Sequence, residues 1–328
     1  MIDTIDGVHR IEVPTPFPVG PVNCYLIEGR PLTMIDTGPK TSKSLLAVQQ
    51  GLQALSYSLS DIEQILLTHS HVDHAGMVAR IAREREQVHG NPPKVWVHHR
   101  DAEAVLNYDR YMEHYTEAFL RLVVVSGVLE KETKMPIPEN RAEFFKQIGE
   151  SFPPAQSFDD GAIFKTGIGD LSAFWVPGHS SGSTCYVCDE NRVIFSGDHI
   201  LMDISSNPSI SFDDSERIGM LTYLDSLDYI LSKDGYIALP GHREPILDIK
   251  ARIAVLQSEY TEKLQKAAKY LTEDPLTIYE ISRMVYGNYE PGSLVLALAE
   301  TYDLLRILES NNQAKFIDQN GVVLVIQG

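Results

Sequence analysis

Short apolar stretches alternate with amphipathic stretches along the first hundred residues. Runs of apolar and β-branched residues bounded by Gly, Pro or Asn predict strands at 8–13, 23–28, 32–36, 62–68 and 94–99. Residues 41–55 carry Leu or Val at spacings of three and four, which predicts a helix, and a second helix is predicted from Ala75 onward. Strands that alternate with helices are typical of an α/β fold.

Residues 100–150 interrupt this alternation and are mostly helical. One predicted helix face is aromatic, because its apolar residues recur every three to four positions: Tyr108, Tyr111, Met112, Tyr115 and Phe119. A loop at 135–140 and a second helix at 141–149 complete the segment. We interpret it as an insertion whose aromatic face either packs on the core or forms a lid over a site, and the pattern leaves both alternatives open.

Beyond the insertion the strand pattern returns and then gives way to helices. Strands are predicted at 160–167, 171–179, 183–188, 192–199 and 235–242, with a helix at 220–232. From about residue 250 the pattern predicts a long helix, a second helix after the capping residue Thr277, a third helix at 293–310, and a hairpin with the turn Asn320-Gly321. Three helices and a hairpin form a winged-helix outline. We therefore expect two domains, residues 1–249 and 250–328.

Composition narrows the functional classes. The 328 residues include 45 Asp or Glu and 28 Lys or Arg, a formal charge of −17, which argues against a nucleic-acid-binding surface because phosphate contacts come mainly from Lys and Arg. No apolar run is long enough to span a membrane. The three cysteines are too few for a disulfide framework, so we expect a cytoplasmic protein. We assign Cys185 and Cys188 to packing, since positions three apart on a strand face opposite ways.

Metal-capable side chains are concentrated at four predicted strand ends. The stretch Thr68 to Gly76, THSHVDHAG, places His69, His71, Asp73 and His74 directly after an apolar strand. Three later strands end in the same way, at His179, Asp198 and His242. Imidazole and carboxylate are good ligands for zinc and similar divalent metals. The pattern predicts a site for two neighbouring cations.

The order and context of these motifs resemble the metallo-beta-lactamase-fold hydrolases, in particular a subgroup with a C-terminal winged helix. The resemblance implies a four-layer αββα sandwich with two divalent metal ions, most simply zinc, with iron and manganese as alternatives. The first metal would be held by His69, His71 and His179, and the second by Asp73, His74 and His242. Asp198 would bridge the two metals. Asp36 would hydrogen-bond the ligand loop without binding a metal, although an Asp that caps the turn at residues 36–40 is an alternative.

The implied reaction is metal-assisted hydrolysis. A hydroxide that bridges the two metals would attack an electrophilic centre, Asp73 would orient it or relay its proton, and Asp198 would complete the catalytic pair of carboxylates. We expect a small ester, thioester or lactone as substrate. Cleavage of single-stranded RNA, a non-catalytic metal-binding regulator, and single-iron dioxygenase chemistry remain open alternatives.

The C-terminal domain is expected to support packing, pocket formation or a homodimer. Residues 250–328 contain eight Lys or Arg and ten Asp or Glu, so they offer no net positive charge to a nucleic acid. The third helix is apolar on more than one face, which favours burial against the sandwich or against a second chain.

Overall fold

The first 248 residues build two facing β-sheets. The structure, a computed structural model, describes residues 5–131, 141–208, 219–288 and 293–328. The first sheet has its six strands in chain order: β1 (Val8–Val13), β2 (Val22–Ile27), β3 (Thr33–Ile35), β4 (Gln64–Leu66), β5 (Lys94–His98) and β6 (Gln156–Phe158). Its first three strands are antiparallel, and β3 to β6 run parallel.

The second sheet comes from residues 163 to 240. Its strands are β7 (Ile163–Thr166), β8 (Gly169–Trp175), β9 (Thr184–Cys188), β10 (Val193–Gly197) and β11 (Ile237–Pro240). They lie in the order β11-β10-β9-β8-β7. Of the adjacent pairs in this sheet, β10 and β11 are parallel and the other three are antiparallel. Because β9 is antiparallel to both neighbours, β8, β10 and β11 all run in one direction.

Helices cover the outer faces of both sheets. The helices before the C-terminal segment are α1 (Ser42–Ala54), α2 (Val72–Ala75), α3 (Val78–His89), α4 (Ala102–Leu106), α5 (Tyr108–Val125), α6 (Val128–Lys131), α7 (Arg141–Ile148) and α8 (Gly219–Leu231). A core that includes Tyr25, Leu66, Tyr186 and Phe195 fills the space between the sheets. The layers are therefore helices, sheet, sheet and helices.

The C-terminal segment consists of three helices and a small sheet. These elements are α9 (Ile249–Tyr270), β12 (Leu276–Thr277), α10 (Ile278–Tyr286), α11 (Leu294–Ser310), β13 (Ala314–Gln319) and β14 (Val322–Gln327). Thr277 and Glu280 form the predicted capping box. Asn320 and Gly321 both have positive φ in the hairpin turn, the conformation that such a two-residue turn requires.

One continuous core joins this segment to the second sheet. Apolar side chains on the outer face of β8 to β10, such as Val187 and Ile194, pack in the same cluster as Tyr260 of α9 and Leu304 of α11. Residues of α5, including Phe119 and Leu122, belong to it as well. The segment therefore shares its hydrophobic interior with the sandwich.

Most predicted elements are present, and most are shorter than the sequence pattern suggested. Strand β6 was not predicted, and the predicted loop at 135–140 lies outside the described residues. Cys185 and Cys188 are both free and buried, and they face different cores, as their spacing on β9 indicated. Across the ranges described, none of the helices has the length and apolar character that crossing a membrane requires.

Candidate metal centre

Three parallel strands of the first sheet end at one edge. Asp36 follows β3, the loop from His69 to His74 follows β4, and Asp101 follows β5. Parallel strands present their carboxyl ends together, so residues far apart in sequence meet there. Asp36 adopts φ 56°, a left-handed conformation that aspartate tolerates better than most residues and that sets its carboxylate against the β4 loop.

The second sheet places its own strand ends at the same position. His179, Asp198 and His242 follow β8, β10 and β11, which run in one direction. The two sheets are joined here, since Val22 pairs with His242 in an isolated bridge and the Asn23 amide donates to the Gly241 carbonyl at 2.6 Å. A Cβ on Gly241 would lie 2.4 Å from Asp198 Oδ1, so only glycine fits at this position.

The side chains predicted as ligands form overlapping groups. Ligand atoms lie within 4.8 Å of one another in three sets: His69, His71 and His179; His69, His74 and Asp198; Asp73, His74 and His242. His71 Nδ1 lies 3.1 Å from His69 Nε2 and 2.9 Å from His179 Nε2. The folded chain thus brings together all seven residues of the sequence motif.

Asp198 lies between the two histidine groups. Its Oδ1 is 3.4 Å from His74 Nε2, and its Oδ2 is 3.7 Å from His179 Nε2 and 3.5 Å from His242 Nε2. On the far side, Asp73 Oδ2 is 3.5 Å from His242 Nε2. One carboxylate therefore faces both halves of the cluster.

Two observations indicate that the imidazole and carboxylate atoms of this cluster suit divalent cations. His74 Nε2, His242 Nε2 and Asp198 Oδ1 are buried and have no hydrogen-bond partner within the described ranges, although buried polar atoms normally have one. Among the described residues, the carboxylates of Asp36, Asp73 and Asp198, which are 2%, 13% and 9% exposed, form ion pairs with histidines and with no Lys or Arg. Cations at the centre would satisfy both the open donor atoms and the excess negative charge.

The protonation tendencies of the imidazoles support the same interpretation. Burial lowers the pKa of His179 to about 4, helped by the nearby His71, and burial also lowers the pKa of His69 and His71. These three rings are therefore neutral near pH 7, the form that binds a metal. Burial opposes charge on His74 as well, but the carboxylates of Asp198 and Asp36 outweigh it and raise the His74 pKa, so this position favours positive charge.

Hydrogen bonds from neighbouring elements fix the orientation of several rings. Asp36 Oδ2 lies 2.8 Å from His74 Nδ1, and the same carboxylate accepts from the Thr68 amide and hydroxyl at 2.8 and 2.7 Å. His242 Nδ1 lies 2.7 Å from the Pro21 carbonyl, and His179 Nδ1 contacts the Ser206 carbonyl. Such contacts hold each ring so that its other nitrogen faces the centre.

Asp101 is a site residue that sequence analysis missed. Its buried carboxylate accepts from the Ser70 amide at 3.0 Å, the Ser180 hydroxyl at 2.8 Å and the Gly182 amide at 2.7 Å. Ser70 separates His69 from His71, and Ser180 follows His179 directly. Asp101 therefore links the ligand loop of one sheet to the ligand loop of the other.

Replacing this link should weaken the site without removing a ligand. We expect Asp101→Ala to lower metal affinity about 10- to 100-fold, because the partners that orient ligands have effects of this size. Thermal unfolding monitored by circular dichroism should show a loss of about 2 to 4 kcal/mol, since three buried donors lose their acceptor. Competition with a chromogenic chelator measures the affinity. Asp159→Ala removes a nearby exposed carboxylate and should change neither quantity; equal effects of both substitutions would contradict the role of Asp101.

A cavity of about 470 Å³ opens over the metal-ligand cluster, the name used here for the seven residues predicted to bind metal. Its base includes His71, Asp73, His179, Asp198 and His242. Its walls are largely apolar or aromatic, and they include Phe17, Val72, Tyr108, Tyr111, Met112, Tyr115, Phe145, Leu201, Ile204 and Leu296. Four of the five residues of the predicted aromatic stripe thus line the cavity, whereas Phe119 packs in the core shared with the C-terminal segment. Leu296 shows that α11 also contributes to this wall.

Comparison with known proteins identifies the family. A model described as the metallo-beta-lactamase superfamily matches residues 17–242, more than half of the chain. The chain belongs to this superfamily. The crystal structure of the metallo-beta-lactamase family protein TTHA1429 from Thermus thermophilus shares the fold, with a TM-score of 0.84 and 24% identity over 99% of both chains.

Curated relatives of this metallo-beta-lactamase-fold chain are named as hydrolases. "Probable metallo-hydrolase YqjP" of Bacillus subtilis is 29% identical over 94% of this chain and 93% of its own length. "Atrochrysone carboxyl ACP thioesterase nsrC" of Aspergillus novofumigatus is 24% identical over 94% and 80%, respectively. "Acyl-coenzyme A thioesterase MBLAC2" of Homo sapiens is 26% identical over 53% and 54%. The superfamily membership and these relatives identify the chain as a metal-dependent hydrolase.

Proposed function

We propose that this metallo-beta-lactamase-fold protein hydrolyses acyl thioesters that carry a large apolar acyl group. One observation carries the proposal: the metal-ligand cluster forms the base of a cavity whose walls are aromatic and aliphatic. Apolar walls bind an apolar substrate arm, and polar groups at one end fix the reacting bond. The names of two relatives as thioesterases favour a thioester over the ester and lactone alternatives.

In this proposal the cluster holds two divalent cations, most simply zinc. One would be held by His69, His71 and His179, the other by Asp73, His74 and His242, and Asp198 would contact both. If bound in this way, two cations would supply a water of near-neutral pKa and a polarised substrate carbonyl.

The protein's own groups then position the reactants. Burial raises the pKa of Asp73, but its contacts with His242 and His74 outweigh burial and hold that pKa below the usual value, so the carboxylate is charged near pH 7. Asp73 also lines the cavity, where its free oxygen can accept a proton from the attacking water. The aromatic wall excludes bulk water from the acyl group, and Asp36 holds the His74 ring in place.

A panel of synthetic substrates tests this function. N-acetylcysteamine thioesters with acetyl, hexanoyl and phenylacetyl groups should show kcat/KM values that rise with apolar acyl size, as measured by thiol release. Matched oxygen esters, a lactone, a phosphodiester and single-stranded RNA run in parallel. Hydrolysis of RNA or the phosphodiester without thioester turnover would overturn the proposal.

The aromatic wall makes a separate contribution that can be measured. Tyr111→Ala and Tyr115→Ala should raise KM for the phenylacetyl thioester up to about tenfold, because each removes apolar contact area from the cavity. Tyr302→Ala provides the control, since that ring stacks on Phe316 outside the cavity. Altered thermal stability with an unchanged KM would indicate that the two tyrosines only pack the insertion.

The C-terminal segment is proposed to be a winged-helix-like domain that builds part of the pocket. Its three helices and three-stranded sheet support this interpretation, and Ser293 and Leu296 of the α11 region line the cavity. Helix α11 contacts α5, α8, α9 and α10 within the chain, which accounts for its broad apolar surface without a second copy. The homodimer therefore stays a prediction, which light scattering can test. The cytoplasmic location also stays a prediction, which cell fractionation can test.

A further inference from the structure

Arg243 introduces a positive charge into a largely apolar wall. It directly follows His242 and lines the cavity above the metal-ligand cluster. Among the described residues that line this cavity, it is the only Lys or Arg. A cationic side chain beside a reacting centre has a direct effect on which substrates bind there.

The backbone conformation at Arg243 is unusual, and neighbouring residues hold it in place. Arg243 has φ 69°, in the left-handed region that disfavours most residues with a Cβ. The conformation is held by its neighbours, because the Arg243 carbonyl accepts from Asn23 Nδ2 at 2.7 Å and from Arg10 Nη1 at 3.4 Å. Strained backbone that the surroundings hold in place is common at ligand-binding positions.

The guanidinium retains capacity to bind an anion. Its Nε lies 3.5 Å from Asp203 Oδ1, but the Asp203 side chain is 65% exposed, and exposed ion pairs are weak. Neither Nη atom donates a hydrogen bond to any residue in the described part of the chain. Position 20 is a glycine, and a Cβ there would lie 3.6 Å from Nη1, so position 20 places no side chain over this end of the guanidinium.

We infer that Arg243 recognises an anionic oxygen group, a carboxylate or a phosphate, on the thiol arm of the substrate. This inference rests on the proposed thioester hydrolysis. The acyl arm takes the apolar wall of Tyr111, Tyr115 and Leu296, where a charge would lose its hydration without a partner. The thiol arm therefore takes the more polar side of the cavity, where a guanidinium can bind an oxyanion with two parallel hydrogen bonds.

The test compares thiol arms with one constant acyl group. Phenylacetyl thioesters of N-acetylcysteamine (neutral), 3-mercaptopropionate (carboxylate) and 4′-phosphopantetheine (phosphate) are assayed with wild-type protein and with Arg243→Asn. Asparagine tolerates the left-handed backbone, and the substitution removes the guanidinium together with its charge. The readout is the ratio of kcat/KM for each anionic substrate to kcat/KM for the neutral one, which does not depend on the fraction of metal-loaded enzyme.

We expect Arg243→Asn to lower this ratio about tenfold for at least one anionic thiol, mainly through KM, and Arg243→Lys to restore part of it. The anionic thiol that responds shows whether the bound group is a carboxylate or a phosphate. Arg192→Asn is the matched control, because Arg192 also has positive φ, at 53°, but lies in the β9–β10 turn outside the cavity.

The outcomes separate this inference from the function on which it rests. If wild-type protein hydrolyses none of the thioesters, the proposed function fails. If it hydrolyses them and the ratio is the same in wild type and Arg243→Asn, or falls equally in Arg192→Asn, the role of Arg243 is rejected.

Discussion

Asp198→Ala should abolish hydrolysis and reduce the bound metal from about two ions per chain to one or fewer. The carboxylate faces imidazoles of both groups at 3.4 to 3.7 Å, so its removal takes a ligand from both proposed cations at once. It also removes negative charge that would offset their mutual repulsion. We expect kcat to fall about 1,000-fold or more, equivalent to about 4 kcal/mol of transition-state stabilisation.

Metal analysis by inductively coupled plasma mass spectrometry and thioester assays on the same samples measure both effects. Asp189→Ala is the control, because that carboxylate is exposed in the β9–β10 turn and should leave metal content and kcat unchanged. Asp198→Asn keeps the shape and removes the charge, so it should lose both properties as Ala does. Turnover by Asp198→Ala at the wild-type rate would reject the assignment. So would wild-type protein that is purified without chelators, contains no metal and is still active.

Deletion of residues 250–328 should yield insoluble protein. The deletion uncovers Val187, Ile194 and Tyr223, which share a core with Tyr260 and Leu304 of the removed helices. Exposure of apolar side chains costs roughly 1.5 to 3 kcal/mol each, so the loss is comparable to the roughly 5 to 15 kcal/mol by which domains are stable. The soluble fraction after centrifugation, followed by size-exclusion chromatography, measures the result.

A pair of point substitutions tests the same interface in the full-length chain. Leu304→Ala removes a fully buried side chain and should lower the free energy of unfolding by about 2 to 5 kcal/mol. Val255→Ala, at a position that is 48% exposed on α9, should change it by less than about 0.5 kcal/mol. A soluble, active fragment of residues 1–249 would instead show that the sandwich folds independently and that the C-terminal segment is dispensable.

The clustering of the predicted ligand residues could be foreseen because their signal is local. His69, His71, Asp73 and His74 lie within six residues directly after an apolar strand, so a short stretch of sequence contains the pattern. His179, Asp198 and His242 each follow an apolar strand and a glycine. They become candidate ligands because the first motif already indicates a metal site. The strands that precede these residues run in the same direction within each sheet, so their carboxyl ends lie at one edge and bring the residues together. The topology predicts this without knowledge of side-chain contacts.

The residues that were missed have partners far away in the chain. Asp101 stands alone between a histidine-rich strand end and a helix, and its contacts Ser70 and Gly182 are 31 and 81 positions away. Leu296 belongs to a helix whose apolar pattern indicates only burial and says nothing about a cavity wall. Strand β6 has three residues, of which Gln156 and Ser157 are polar and exposed, so it offers neither an apolar run nor an alternation to be recognised.

The division of the ligands between two sheets has a consequence during synthesis. His69 to His74 leave the ribosome early, whereas His242 follows only after residues 75–241 have been made, roughly 10 to 30 seconds later at about 5 to 20 residues per second. Until then the early histidines lack the carboxylate and imidazoles that complete the cluster. Stable metal loading must therefore follow translation of the second sheet, which ties the timing of activation to the synthesis of residue 242.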